Sequence, residues 1–248
     1  MTAAAMAIAI CAEHWSPDNL LDAYPDTLVA VRNNHLIFRD GRALDMVSID
    51  CQKPDDDVLR HASILDQFRD SYPPEPLNAP PTHDPGRFRN KAFFDAMYGD
   101  CRKGAVAPQL VSLIWLPRGW GRQIEFTSVN HAADALRTVS AEIDALPDDE
   151  RRAAYPVAGT YNCRTVADDG QPSMHAYGAA IDLNLGYSNY WMWEKDRAAR
   201  YVNRMPLSIV RIFERHGFIW GGKWHHFDTM HFEYRPELLP LAAGPVPR

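Results

Sequence analysis

The sequence lacks the features that define several protein classes. It has no excess of positive charge, because 26 Lys and Arg residues face 32 Asp and Glu, which gives a net charge of −6. Without a basic run or patch, the chain has no electrostatic signature of a protein that binds nucleic acid or anionic membrane. No apolar run reaches the roughly 20 residues of a transmembrane helix. Apolar residues make up 46% and charged residues 23%, which is typical of a folded globular domain.

Cysteine is also scarce, with four residues at positions 11, 51, 101 and 163. None forms a C-x-x-C pair, so a zinc cluster of cysteines is not supported. The residues alone leave open whether they form disulfides or pack as small buried thiols. Residues 1–12 are nearly all small or apolar, as in the hydrophobic part of an export signal, but no basic segment precedes them. They are either an export-signal remnant or a frayed N-terminus.

Local patterns divide the chain into an arm and a body. Between residues 24 and 47, short apolar runs are separated by Asn33-Asn34 and Asp40-Gly41, pairs that suit hairpin turns. Six prolines in residues 73–85 exclude regular helix and central strand, and they predict a stiff connector. We therefore predict an N-terminal β-hairpin arm with a Pro-rich connector over residues 13–87 and a second domain, the body, over residues 88–248.

The body mixes helix and strand patterns without strict alternation, which favours an α+β fold with a small antiparallel sheet and flanking helices. Asn130 is the predicted N-cap of a long amphipathic helix. The predicted strands cover residues 110–116, 124–129 and 155–161, and the predicted helices cover residues 88–98, 130–146 and 206–216.

Two segments concentrate the residue types that bind metal: SMHAYGAAIDLN over residues 173–184 and WHHFDTMHFEY over residues 224–234. A catalytic zinc takes three nitrogen or oxygen ligands from the protein, about 2 Å away, and leaves one position for water. His175, Asp182 and His231 supply two imidazoles and one carboxylate. We predict that these three side chains bind Zn²⁺.

The spacing within each segment requires the chain to turn. His175 and Asp182 are an odd number of residues apart, which on a straight strand places their side chains on opposite faces. Gly178 permits a turn between them. Asp228 and His231 are also separated by an odd number, so a kink or loop is needed to bring both to one site.

Two further side chains suit peptide hydrolysis. A carboxylate beside the metal's water can take its proton and pass it to the leaving amine, and Asp228 is our candidate. Charge that develops on the carbonyl oxygen needs a donor, which the permanently cationic Arg164 can supply.

These residues resemble a known family. The pattern S-x-H-x-x-G-x-A-x-D from Ser173 to Asp182, followed by D-x-x-H-F-E from Asp228 to Glu233, is similar to that of the M15 zinc peptidases. That family includes D-alanyl-D-alanine carboxypeptidases, D-Ala-D-Ala dipeptidases and phage L-alanyl-D-glutamate endopeptidases, and it is related in fold to the hedgehog signalling domain. The resemblance implies zinc on the three residues above, a base at Asp228 and a transition-state arginine at Arg164.

The resemblance also sets the expected function. It implies hydrolysis of peptidoglycan stem peptides, with D-alanyl-D-alanine carboxypeptidase preferred to L-alanyl-D-glutamate endopeptidase. It further implies a periplasmic or secreted protein and, as in a larger exported subgroup, a disulfide between Cys101 and Cys163. A non-catalytic zinc-stabilised cell-wall-binding module is the alternative class, and a serine or cysteine hydrolase is a third. A monomer is the default expectation.

Other side chains near the motifs have two readings each. Ser173 is placed at the substrate site, although it has no partner base and suits a turn better than a nucleophile. His226 can bind substrate or be structural. Trp191 and Trp193 can line the substrate cleft or pack in the core. Glu233 can support the site or pair with a nearby arginine.

Overall fold

The computed structural model describes residues 16–46, 53–74, 81–166, 170–194 and 201–240. The segment 1–12, predicted as an export-signal remnant, lies outside the described residues, as do Cys11 and Cys51. Within the described ranges the chain is an α+β protein with three small antiparallel sheets, as predicted.

In the part of the chain that the structure describes, no helix has both the length and the apolar character needed to cross a bilayer.

The regular elements are short. The α-helices are α1 Pro17–Ala23, α2 Asp55–His61, α3 Lys91–Tyr98, α4 Ala132–Asp144, α5 Asp148–Arg151 and α6 Leu207–Arg215. The strands are β1 Leu28–Arg32, β2 His35–Phe38, β3 Ala43–Asp45, β4 Leu110–Trp115, β5 Arg122–Thr127, β6 Ala180–Asp182, β7 Phe218–Trp220 and β8 His231–Tyr234. Short 3₁₀ helices lie at Leu65–Phe68, Cys101–Lys103, Ala107–Gln109, Val129–His131, Arg152–Ala154, Met174–Tyr177, Leu185–Tyr187, Trp191–Trp193, Gly221–Lys223 and Pro236–Leu238.

The arm contains the predicted hairpins. Strands β1, β2 and β3 form an antiparallel meander. Asn33 and Asn34 take the left-handed φ values, 49° and 63°, that their turn requires. The arm packs directly on the body, because Leu20 and Tyr24 share one apolar core with the body and the Tyr24 hydroxyl donates to Glu237. The boundary near residue 87 stays a prediction.

In the body, the predicted β4–β5 hairpin and the long helix α4 are present. Helix α4 buries Leu136, Val139 and Ile143 in the core. It begins at Ala132, because Asn130 adopts a left-handed conformation with φ of 51°. Instead of capping the helix, the Asn130 side chain accepts a hydrogen bond from the Thr27 hydroxyl in the arm. The prediction of Asn130 as N-cap is wrong.

The strand predicted over residues 155–161 is also wrong. This stretch is irregular and meets β6 only through a single bridge between Gly159 and Asp182. There the Asp182 N–H donates to the Gly159 carbonyl at 2.8 Å, and the Ala158 N–H donates to the Asp182 carbonyl at 2.8 Å. The segment therefore fixes the backbone of Asp182 without forming a ladder.

The third sheet, in the order β6-β8-β7, carries the candidate site. Strands β6 and β8 are antiparallel, and Asp182 lies directly opposite His231. Helix α6 covers the sheet with its apolar face, and Phe213 stacks on Phe232 of β8 with ring centroids 4.0 Å apart. The two candidate ligands, Asp182 and His231, therefore lie on a strand pair that packs against helix α6.

Candidate metal centre and active site

His175 is positioned by a tight turn. It lies in the 3₁₀ helix Met174–Tyr177, whose N-cap Ser173 accepts a hydrogen bond from the His175 N–H at 3.3 Å. The turn ends at Gly178 with φ of +68°, where an added Cβ would lie 2.5 Å from a Leu110 methyl carbon. Glycine is required there by both conformation and space. The predicted turn between His175 and Asp182 is confirmed.

The structure brings His175, Asp182 and His231 together. The His175 Nε2 and His231 Nδ1 atoms are 3.2 Å apart. One Asp182 oxygen lies 3.1 Å from His175 Nε2, and the other lies 2.9 Å from His231 Nδ1. The His175 and His231 side chains are buried and that of Asp182 nearly so. Their position follows from the Gly178 turn on one side and the β6–β8 register on the other.

In each imidazole, the nitrogen that points away from the cluster is hydrogen-bonded, and this determines which nitrogen can bind a metal. His175 Nδ1 donates to the Thr160 carbonyl, and His231 Nε2 donates to a Glu233 oxygen at 3.0 Å. Both partners are acceptors only, so in the neutral rings the protons lie on those outer nitrogens. The lone pairs of His175 Nε2 and His231 Nδ1 therefore point at the same place as the Asp182 carboxylate.

This donor set fits a tetrahedral metal ion. Ligands about 2 Å from a tetrahedral centre lie about 3.3 Å from one another. The two inward-facing imidazole nitrogens are 3.2 Å apart, close to that value, and a different Asp182 oxygen lies 2.9 or 3.1 Å from each of them. Two imidazoles with one carboxylate is also a ligand set that catalytic zinc sites use.

The electrostatics of the cluster favour a positive charge at its centre. Burial opposes the charged form of His231, but hydrogen bonds to Asp182 and Glu233 raise its pKa to about 10. Burial likewise opposes ionisation of Asp182, yet the charges and hydrogen bonds of His175 and His231 hold its pKa well below the usual range. Lone pairs and carboxylates that converge in this way bind either a proton or a cation.

Asp228 reaches the site through a second turn. The His231 N–H donates to the Asp228 carbonyl at 3.2 Å, so the chain folds back between them as the spacing requires. Gly221 makes room for this turn, since an added Cβ would lie 2.6 Å from the Asp228 carbonyl oxygen. The buried Asp228 Oδ1 has no hydrogen-bond partner among the described residues. Burial, followed by repulsion from Asp182, raises the Asp228 pKa to about 7.

Glu233 links the metal cluster to a buried charge network. Its carboxylate accepts from His231, receives Arg235 Nη1 at 3.1 Å and lies 3.5 Å from Arg89 Nη1. Arg235 also donates to Glu237, which accepts from Tyr24 of the arm. Both readings of Glu233 hold, because it supports the site and pairs with arginines.

A cleft opens beside His231. Asp228, Arg164, Ser173, His226 and Trp191, all predicted as site residues, line it. The remaining predicted side chain does not: Trp193 is 57% exposed, and its ring packs edge-to-face on Tyr190 with centroids 5.5 Å apart. The cleft also takes in Arg87, Arg89, Val166, Tyr190, Trp224 and Glu233.

Sequence reasoning missed the contribution of the connector. Asp84 accepts hydrogen bonds from the His226 backbone N–H at 2.9 Å and from His226 Nδ1 at 2.6 Å, which fixes the ring. Arg87 and Arg89 line the cleft and are only 5% and 7% exposed. The alternating polar and apolar pattern Arg-Phe-Arg after Gly86 was the feature of the sequence that could have indicated this.

Cys101 and Cys163 form a disulfide with their Cα atoms 5.7 Å apart, which confirms the pairing implied by the resemblance. The bond ties the segment that carries Arg164 to the turn after helix α3. The same segment contacts the His175 turn, because the Asn162 N–H donates to the His175 carbonyl at 3.0 Å and the Ser173 N–H to the Arg164 carbonyl at 3.1 Å. Arg164 is therefore held next to the cluster from two sides.

Comparison with known proteins agrees with this geometry. Residues 167–234 match the M15 peptidase family model described as D-alanyl-D-alanine carboxypeptidase. The matched stretch contains the three clustered side chains together with Asp228 and Glu233, and it ends before the C-terminal part of the charge network. No curated protein and no solved structure matched the chain. The expected likeness to M15 peptidases is confirmed over these residues.

Proposed function

We propose that this M15-type peptidase binds one zinc ion through His175, Asp182 and His231 and hydrolyses peptide bonds in peptidoglycan stem peptides. Its preferred activity in this proposal is that of a D-alanyl-D-alanine carboxypeptidase. The proposal includes the hedgehog-like arrangement of the catalytic sheet and a periplasmic or secreted location. The Cys101–Cys163 disulfide supports that location, since disulfides persist in oxidising compartments.

One observation carries the proposal. His175 Nε2 and His231 Nδ1 lie 3.2 Å apart and each lies 2.9 or 3.1 Å from a different Asp182 oxygen, and hydrogen bonds on the far side of each imidazole turn the lone pairs inward. Protein groups that orient metal-binding histidines in this way are typical of functional zinc sites. A site with only three protein ligands keeps one position open, which suits catalysis rather than structure.

When bound, zinc lowers the pKa of its water to about 7 and polarises the scissile carbonyl. Asp228 is the proposed base. Its Oδ1 is buried and accepts no hydrogen bond from a described residue, and its pKa of about 7 makes it a proton acceptor and donor near neutral pH. It can take a proton from the attacking water and return it to the leaving amine.

Arg164 and His226 are proposed to stabilise the oxygen that becomes negative. Arg164 is an exposed, permanently charged guanidinium on the cleft wall. His226 donates through Nδ1 to Asp84, so its Nε2 faces outward to the cleft as an acceptor or, when the ring is protonated, as a donor. A guanidinium and a protonated imidazole beside the carbonyl oxygen would stabilise the negative charge that develops there.

Two other functions remain candidates. An L-alanyl-D-glutamate endopeptidase would use the same centre on an internal bond, and a zinc-stabilised cell-wall-binding module would use it for structure. A buried carboxylate with a raised pKa beside the metal cluster favours an enzyme, because a structural site gains nothing from a base.

The test combines metal analysis with digestion of a defined muropeptide, with and without a chelator. We expect about one zinc per chain, release of free D-Ala and loss of activity on chelation that added zinc restores. A cut between L-Ala and D-Glu would select the endopeptidase. Zinc binding without any cleavage would select the binding module, and activity that survives chelation would exclude a metallopeptidase.

Asp228→Ala separates the base from the ligands. We expect wild-type zinc content and a fall in kcat of about 10²- to 10⁴-fold, the range for loss of a general base. Asp149→Ala, on an exposed part of helix α5, is the matched control and should change neither quantity. Loss of zinc in Asp228→Ala as complete as in His175→Ala would make Asp228 a ligand and contradict the assignment.

A further inference from the structure

The connector that precedes helix α3 is fastened to the metal-binding segments. The His225 N–H donates to the His83 carbonyl at 2.7 Å, and Arg235 Nη1 donates to the Gly86 carbonyl at 2.9 Å. These contacts join residues about 140 to 150 positions apart in the chain. Residues 81–90 therefore form one wall of the candidate active site rather than a free linker.

The local conformation turns two arginines into the cleft. Gly86 has φ of +94°, and an added Cβ would lie 2.4 Å from an Ile219 methyl carbon, so the chain reverses close to the sheet. Arg87 lies in this turn, where its N–H donates to the Asp84 carbonyl at 3.0 Å, and residues 88–90 follow without regular structure. Phe88 is buried with Val58, whereas Arg87 and Arg89 line the cleft beside Asp228 and His231.

Burying two guanidinium groups at one place is costly unless anions face them. Two described carboxylates face these arginines, and each also has other partners. Glu233 lies 3.5 Å from Arg89 but also serves Arg235 and the N–H of His231. Asp84 accepts two hydrogen bonds from His226; burial opposes its charged form, but the hydrogen bond from the His226 ring and the charge of Arg87 hold its pKa below the ordinary value.

Among the charged side chains of described residues that line the cleft, three are arginines and two are carboxylates. A divalent ion held by His175, Asp182 and His231 would add further positive charge. The cleft wall therefore attracts an anion, and the planar guanidinium is the group best shaped to hold a carboxylate.

We propose that Arg87 and Arg89 bind a carboxylate carried by the substrate residue on the leaving side of the scissile bond. This assignment rests on the proposed peptidase function and adds its substrate selectivity. The carboxylate has two sources: the C-terminus of a peptide cut by a carboxypeptidase, or the free α-carboxylate of D-Glu beside an internal bond. Either source gives the same chemistry on the connector wall.

The experiment uses two matched pairs of stem peptides. The first pair ends in D-Ala-D-Ala as the free acid or as the C-terminal amide, and the second contains L-Ala-D-Glu or L-Ala-D-isoglutamine. Values of kcat/KM are measured for zinc-loaded wild type, Arg87→Gln, Arg89→Gln and Arg122→Gln. Arg122, exposed on strand β5, provides the matched control.

Wild type should prefer the acid of one pair by about 10- to 100-fold, as expected for charge-assisted hydrogen bonds to a carboxylate. The pair that shows the preference identifies the source. In Arg87→Gln and Arg89→Gln the acid should lose most of this advantage while the amide reacts as before, and Arg122→Gln should match wild type. Arg87→Lys should recover part of the preference, because it keeps the charge.

Some outcomes overturn the assignment while the peptidase stands. These are equal rates on acid and amide in wild type, and an unchanged acid preference in both arginine variants that retain wild-type melting temperature and zinc content. If zinc-loaded wild type cleaves neither pair, the proposed function fails and equilibrium binding decides the arginine site. Acid binding at least tenfold tighter than amide binding, and lost in the variants, supports the site; equal binding overturns it.

Discussion

Replacing Glu233 with Gln tests whether the buried charge network supports the metal centre. Glu233 is fully buried and holds His231 Nε2 at 3.0 Å and Arg235 Nη1 at 3.1 Å. Burial opposes its charged form, but the hydrogen bond from His231 and the charges of Arg89 and Arg235 lower its pKa to about 2. The ordinary value is 4.5, so the charged form is stabilised in the folded protein.

The size of this depression sets the expected effect. It corresponds to about 3 kcal/mol of the free energy of unfolding at neutral pH. Because the folded pKa is the lower one, this contribution is fully present above pH 4.5 and is lost as the pH falls toward 2. Glu233→Gln keeps the shape but removes the charge, and it leaves Arg89 and Arg235 facing one carboxylate fewer. We expect this substitution to lower the free energy of unfolding by about 3 kcal/mol at pH 7. We also expect the free energy of unfolding to fall less steeply as the pH is lowered from 4.5 toward 2.

Urea unfolding at a series of pH values, with chelator present throughout, measures this effect without the contribution of the metal. Glu142→Gln is the control, because Glu142 also pairs with one arginine and one histidine, Arg215 at 2.7 Å and His216 at 2.6 Å, but on the surface. It should cost less than about 1 kcal/mol. Equal losses in the two variants, or an unchanged acid slope in Glu233→Gln, would refute the reasoning.

A second readout of the same variant addresses the metal. Loss of the carboxylate removes the group that fixes the proton on His231 Nε2 and the lone pair on Nδ1. We expect zinc affinity, measured by competition with a chromogenic chelator, to fall about 10- to 100-fold. Affinity equal to that of wild type would show that Glu233 stabilises the fold without orienting the ligand.

Three other perturbations follow from the structure. Gly178→Ala should lower the melting temperature and weaken zinc binding, because the added Cβ would lie 2.5 Å from a Leu110 methyl carbon in a left-handed turn. A melting temperature equal to that of wild type in calorimetry would contradict this. Replacing Cys101 and Cys163 with Ala opens a loop of 62 residues and should cost about 4 kcal/mol in urea unfolding by the chain-entropy relation. Asp84→Ala should lower the free energy of unfolding by about 1 to 3 kcal/mol in urea unfolding, because the His226 ring and the His226 backbone N–H both lose their acceptor; an unchanged free energy would show that the contact does not form.

The clustering of the candidate metal ligands was predictable in part because its signal is local. His175 and Asp182 lie in one segment with Gly178 between them, and the odd spacing required the turn that the structure has. The odd spacing between Asp228 and His231 likewise predicted the turn that the structure has between them. The cross-strand pairing of Asp182 and His231 could not be read in the same way, since β6 is only three residues long and carries little strand pattern.

The connector wall could not be predicted, because its meaning depends on contacts between distant parts of the chain. Six prolines in residues 73–85 correctly exclude regular structure, but they do not indicate what the irregular chain packs against. Arg87 and Arg89 look like ordinary solvated cations until Gly86 turns them into the cleft. The strand predicted at residues 155–161 failed for the related reason that an apolar pattern does not supply a partner strand.

Glu233 makes the two halves of the candidate site interdependent. Glu233 Oε2 accepts a hydrogen bond from His231 Nε2, and the other nitrogen of His231 faces Asp182 and His175. The same oxygen lies 3.5 Å from Arg89 Nη1, and Arg89 lines the cleft. A substrate carboxylate at Arg89 would compete for the positive charge that Glu233 now shares. Glu233 would then hold its remaining partners, His231 and Arg235, more strongly. On the proposed function, binding of an anionic substrate and basicity of the His231 imidazole would be coupled through a single buried carboxylate, and zinc affinity should rise when the acid form of the substrate is present.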